Sequence, residues 1–152
     1  MMKMKEFNYL SANGKTNIHA VKWTTDKKIL GIIQLAHEVT EYILRYKEFA
    51  KFFTNLGFVV VGNDHLSHRK SLINNIEKDI PILLISGGSD PVENNGYGVK
   101  KVYKLYKKAN ISDVTLKIYP NLRHDILRET NSKNIMEYIY NWIKEKSKLQ
   151  DI

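Results

Sequence analysis

The sequence contains no cysteine, which excludes disulfides, thiolate metal sites and a cysteine nucleophile together. It has no apolar run near the roughly 20 residues needed to cross a bilayer. Its opening, MMKMKEFNYL, carries basic residues without an apolar stretch or a small-residue cleavage site, so no signal peptide is expected. Cytoplasmic location is the default expectation. Arginine is scarce: the positive charge comes from 20 Lys against 4 Arg. Lysine is a point charge without the planar fork that suits bases and phosphates, so the excess is only weak support for specific nucleic-acid recognition, and no nucleic-acid partner is expected. There is no low-complexity tract, internal repeat or linker.

What is present is ordinary for a folded domain. Of 152 residues, 43% are hydrophobic and 26% charged, with net charge +8. That length fits one domain over 1–152 with a real core. Short apolar strands alternate with helical patterns, which predicts an α/β fold with a mostly parallel sheet and helices on both faces. FNYLS (7–11) and NIHAVKW (17–23), joined by an Ala-Asn-Gly-Lys turn, predict an opening hairpin. ILGIIQLA (29–36) reads as a strand covered on both faces. Tyr46, Phe49, Ala50 and Phe53 mark a helix stopped by Gly57. FVVVG (58–62), PILLIS (81–86) and VTLKIY (114–119) are further strands, and a last helix over 133–147 buries Ile135, Ile139, Trp142 and Ile143.

The densest charge lies in GVKKVYKLYKKAN (98–110). Val99, Val102, Tyr103 and Tyr106 recur at helical spacing, with Lys100, Lys101, Lys104, Lys107 and Lys108 largely off that stripe. One reading is the solvated face of an amphipathic helix; the other is attraction to anionic lipid or nucleic acid.

Ligand sites in such sheets lie beyond the carboxyl ends of the strands. Here those ends carry His37-Glu38, Asn63-Asp64-His65, Gly88-Ser89-Asp90 and the loop holding His124. Asp90 and His124 follow successive strands, so they should be neighbours. An Asp that orients an imidazole is the rear half of a nucleophile–base–orienter relay. His19, alternating with Ile18 and Ala20, reads as a surface residue, and Asp64 with His65 and His68 gives only a weak metal signal. No metal or cofactor is expected.

Two blocks, HEVTEYILRYKEFAKFFTNLGFVVVGNDHLSHRKS (37–71) and IPILLISGGSDPV through IYPNLRHDIL (80–127), resemble the monoacylglycerol lipase and lysophospholipase-like branch of the α/β-hydrolases, the serine aminopeptidase S33 group. The resemblance implies an α/β-hydrolase-like fold and hydrolysis of carboxylic esters through an acyl-enzyme, with a small acyl ester or lipid as ligand. It makes Asp90 the catalytic acid and His124 the catalytic base. It places His37 at the start of the oxyanion loop and the Val39 N–H as an oxyanion donor.

The departure from the family lies between the blocks. No Gly-x-Ser-x-Gly elbow occurs, and Ser71 runs almost directly into LINNIEKDIPIL. On the order of a hundred residues around the family's elbow strand and lid are absent, an internal truncation. Family glycines are replaced by Glu38, Ser67 and Arg69, and an acid at 38 would repel a developing oxyanion. Ser89, in Gly-Gly-Ser-Asp-Pro, only partly echoes the elbow, and Ser67 and Ser71 lack its context. No nucleophile is assigned. The expectation is a chain retaining acid and base but inactive as an esterase. The alternatives are a working hydrolase with an unconventional nucleophile, or a non-catalytic binding or interaction remnant with a basic surface that meets anionic membranes weakly. The truncated sheet should heal by bringing PILLIS beside ILGIIQLA, with VTLKIY on its other side, the link carrying a short helix that buries Leu72, Ile73, Ile76 and Ile80 on one face. The sequence does not set the oligomeric state.

Overall fold

A computed structural model describes residues 1–11, 14–35, 42–64, 78–91 and 95–147. The chain forms two compact units, Met1–Arg69 and Lys70–Ile152.

The first unit opens with the hairpin of β1 (Lys3–Leu10) and β2 (Asn17–Thr24), antiparallel from Lys3↔Thr24 to Leu10↔Asn17. Every residue of β1 is exposed, and Lys3 and Lys5 stand on it, as suits an edge strand that must not recruit another chain. β3 (Gly31–Leu35) runs parallel to β4 (Phe58–Asn63), and β2 pairs β4 antiparallel, giving the order β1-β2-β4-β3. A 3-10 turn at Ile43–Tyr46 leads into α1 (Lys47–Asn55).

The core of this unit follows from two periodicities. Along β2, Val21 and Trp23 alternate inward and are fully buried. On α1, Phe49, Ala50 and Phe53 fall on one face, and Phe53 meets Phe49 and Phe58 at ring-centroid distances of 4.5 and 5.9 Å. The helix ends where predicted. Gly57 takes φ +96°, its N–H bonds Thr54 O at 3.1 Å, and its carbonyl accepts Leu30 N–H at 2.9 Å. A Cβ there would lie 2.9 Å from the Lys28 carbonyl oxygen, so glycine is required twice over.

In the second unit β5 (Ile82–Gly87) and β6 (Val114–Tyr119) run parallel, in register from Ile82↔Val114 to Gly87↔Tyr119. The crossover between them is α2 (Tyr97–Lys108), and α3 (Ser132–Ser147) follows β6. The α3 side chains engage alternate residues of β6. Trp142 Nε1–H donates to Thr115 Oγ1 at 3.0 Å, and the Lys117 ammonium sits 5.4 Å from the Tyr138 ring centroid.

Two expectations are corrected. β3 is not covered on both faces: Ile32 is 71% exposed, because the parallel ladder to β4 buries β3 along one edge without covering that side chain. The predicted pairing of PILLIS is met only in part. β5 pairs β6 as expected, whereas β3 pairs β4 at the end of the strand order β1-β2-β4-β3. Of the predicted linking helix, Leu72, Ile73 and Ile76 lie outside the described residues, while Ile80 stands in a bend and is 46% exposed rather than buried on a helix face.

Candidate active site

Backbone hydrogen bonds carry the β5–β6 alignment past the strand ends. Gly88 N–H donates to Tyr119 O at 2.7 Å, Ser89 N–H to Leu122 O at 2.9 Å, and Leu122 N–H closes the Tyr119–Leu122 turn at 3.1 Å. The loop after β5 is therefore held against the loop after β6. Glycine makes that approach possible. A Cβ on Gly87 would collide with the carbonyl oxygens of Leu122 and Arg123, and one on Gly88 would sit 2.7 Å from Pro120 Cα.

This zipped pair of loops brings Asp90 and His124 together. Asp90 Oδ2 lies 2.9 Å from His124 Nδ1. The Asp90 side chain is 3% exposed and that of His124 31% exposed. An ionised carboxylate can only accept, so Nδ1 carries the proton, and in the neutral ring Nε2 is the basic nitrogen. The arrangement can orient an imidazole and stabilise its protonated form, which is what an orienter does for a general base. Asp90 is fixed from the backbone side too, its carbonyl accepting Asn95 N–H at 2.7 Å.

Ser89 is next to the acid, but its hydroxyl is committed elsewhere: Oγ donates to Pro120 O at 2.7 Å. Ser86 Oγ likewise donates to a main-chain oxygen, that of Gly87, at 3.2 Å. His37, Glu38 and Val39 of the expected oxyanion loop lie outside the described residues, as do His65, Ser67, His68 and Ser71. Among the described residues no group of three His, Asp or Glu side chains converges as a metal site. Nor is any helix there long and apolar enough to cross a membrane.

Sequence reasoning missed a second imidazole cluster, in the first unit. His19 was expected to be a plain surface residue. Its Nδ1 instead lies 2.9 Å from Asp64 Oδ2 and its Nε2 2.9 Å from Glu6 Oε2. Asp64 also accepts the Ile43 N–H through Oδ1 at 2.7 Å. Hydrogen bonds to Asp64 and then to Glu6 raise the His19 pKa above its ordinary value, burial opposing them. The signal that could have found it was cross-strand parity. In the hairpin register His19 faces Asn8, which puts Glu6 on the same face two residues along β1.

Comparison with solved structures shows the fold: the chain has the α/β-hydrolase fold. A carboxyl esterase from Bacillus coagulans, solved with glycerol, matches with TM-score 0.80 at 15% identity, over 95% of this chain and 99% of that one. A lipase in an open form matches with TM-score 0.74 at 13% identity, over 95% and 99%. A dienelactone hydrolase from Anabaena variabilis matches with TM-score 0.60 at 12% identity, over 93% and 98%. At such identities the likeness is one of fold. Residues 70–131 are in addition similar to the family model Serine aminopeptidase, S33. That match spans β5, α2, β6 and both Asp90 and His124, and it agrees with the resemblance read from the sequence. At 152 residues the chain is short, consistent with truncation. No curated protein sequence matches it.

Proposed function

We propose that this protein is a non-catalytic relative of the esterase and lipase group of α/β-hydrolases, keeping the acid and base of the relay without its nucleophile. The observation that carries the reading is a pairing of opposites. Asp90 and His124 are held at 2.9 Å, yet the chain has no Gly-x-Ser-x-Gly, and the one serine beside the acid donates its hydroxyl to Pro120 O. A relay needs an alcohol on the base, because the imidazole accelerates acyl transfer only by taking that proton. Loss of a triad serine costs roughly a millionfold in turnover, leaving residual acceleration from binding alone. Asp90 and His124 then serve as a vestigial acid and base, and the remaining role is binding, with a small acyl ester or lipid as the ligand class and the cytoplasm as the location.

The test is covalent labelling and turnover together. A fluorophosphonate probe should leave the protein unlabelled. Short-chain and monoacylglycerol esters should be hydrolysed no faster by the wild type than by His124→Ala. Labelling of one serine that disappears in His124→Ala, with turnover that also needs Asp90, would show a working hydrolase with an unconventional nucleophile.

A further inference from the structure

We propose that the outward face of α2 is a docking surface for an anionic lipid bilayer. The inference is independent of whether the Asp90–His124 pair does chemistry.

The helix and its C-terminal turn, residues 97–110, contain Lys100, Lys101, Lys104, Lys107 and Lys108 and not one Asp or Glu. All five lysines are exposed. Lys107 and Lys108 lie in the last turn, where cations complement the helix dipole, and Lys107 Nζ also donates to Ser112 O at 3.2 Å. The dipole does not account for Lys100, Lys101 and Lys104. Among the described residues, none of the five makes an ion pair, whereas lysines elsewhere do: Lys146 with Asp113 at 2.9 Å, Lys3 with Asp26 at 2.6 Å. Lys104 stands three or four residues from Lys100, Lys101, Lys107 and Lys108, spacings at which like charges destabilise a helix. A polyanionic partner relieves that repulsion.

The apolar residues identify the partner. Val99, Tyr103 and Tyr106 lie half-buried on one side of α2, which packs against β5 and β6. Tyr97 and Leu105 instead fall in line with Lys101, Lys104 and Lys108, at i, i+4, i+7, i+8 and i+11, and are 64% and 42% exposed. A cationic face with an aromatic and an aliphatic side chain projecting through it fits the headgroup–acyl boundary. There the ammonium groups meet lipid phosphates and the apolar groups enter the interface. Nucleic acid fits less well, since the face has no arginine fork.

The experiment is co-sedimentation of the full chain with phosphatidylcholine vesicles, with and without phosphatidylserine, at low and physiological salt. The wild type should bind only the anionic vesicles, more weakly in salt. The triple variant Lys101→Gln, Lys104→Gln, Lys108→Gln should bind them about a hundredfold less tightly at low salt, near fivefold per lysine. Leu105→Ser should weaken binding at both salt concentrations. Lys5→Gln, which removes a lysine from β1, should leave binding unchanged, and circular-dichroism melting should show the variants folded. Equal binding to neutral vesicles, no effect of the triple variant, or an equal effect of Lys5→Gln would overturn the proposal. So would single-stranded RNA that binds the wild type in preference to the anionic vesicles.

Discussion

An imidazole with a carboxylate on each ring nitrogen can satisfy both only as the imidazolium, because the neutral ring has a single N–H. His19 is in that position, so the first unit should carry a pH-dependent clasp between β1, β2 and the end of β4. The perturbation is His19→Gln, which keeps a polar side chain but removes the charge. The Asp64 contact is half-shielded, with side-chain exposures of 30% and 34%, while Glu6 is 46% exposed. A half-shielded charged hydrogen bond plus a solvated one is together worth about 1–2 kcal/mol. The sign follows from the raised pKa. A group whose folded value exceeds its unfolded one contributes fully below the unfolded value, about 6.5, and loses that contribution as pH rises through the folded value. The difference in stability between wild type and His19→Gln should therefore be largest below about pH 6.5 and shrink in more alkaline solution. Urea unfolding followed by tryptophan fluorescence measures it, in a Trp142→Phe background so that the signal comes from the buried Trp23 alone. A difference that stays flat from acid to alkaline pH, or grows with it, refutes the clasp.

The other predictions concern the second unit. Gly87→Ala should push the Leu122–Arg123 carbonyls off the end of β5, at a cost of about 2–3 kcal/mol. It should also abolish the downfield proton resonance of the Asp90–His124 bond; an intact resonance with unchanged melting would contradict the zipped-loop account. His124→Ala should cost on the order of 3 kcal/mol at neutral pH, because it takes the imidazole from a carboxylate that is 3% exposed. Adding Asp90→Asn in the same chain should restore much of that loss, so a His124→Ala variant as stable as the wild type would mean Asp90 does not depend on its partner.

What the sequence made legible is what periodicity and adjacency control. The opening hairpin, the Phe49–Phe53 face and the Gly57 stop each depend on residues close in the chain, and each stands where expected. The Asp90–His124 contact was legible because consecutive parallel strands place their following loops side by side. The beginning of β1 was not. Lys3 to Glu6 pair with β2 through the backbone, but no side chain of β1 is buried, so no hydrophobic pattern marks where the strand starts. The cover over Ile32 was misjudged for a related reason: an apolar run signals that a strand prefers burial, not that something in the chain supplies it. The His19 cluster depended on register across β1, β2 and β4, which a linear pattern does not encode.

The environment of Asp90 also bears on what its contact with His124 does and does not show. A carboxylate closed off from water is costly unless it is paired, and removing one partner is worse than never having had either. Asp90 is held in place by its own carbonyl bond to Asn95 and by the Ser89 N–H bond to Leu122 one residue before it. Substituting His124 alone takes the imidazole from that buried carboxylate, and substituting Asp90 alone takes the carboxylate from the Nδ1–H. Either single step is downhill in stability, and only a concerted change escapes the penalty. On this argument stability alone accounts for the contact, and its geometry is no evidence of turnover. That separates two quantities usually read together: His124→Ala should change how firmly the second unit holds, while leaving ester hydrolysis where it already stands.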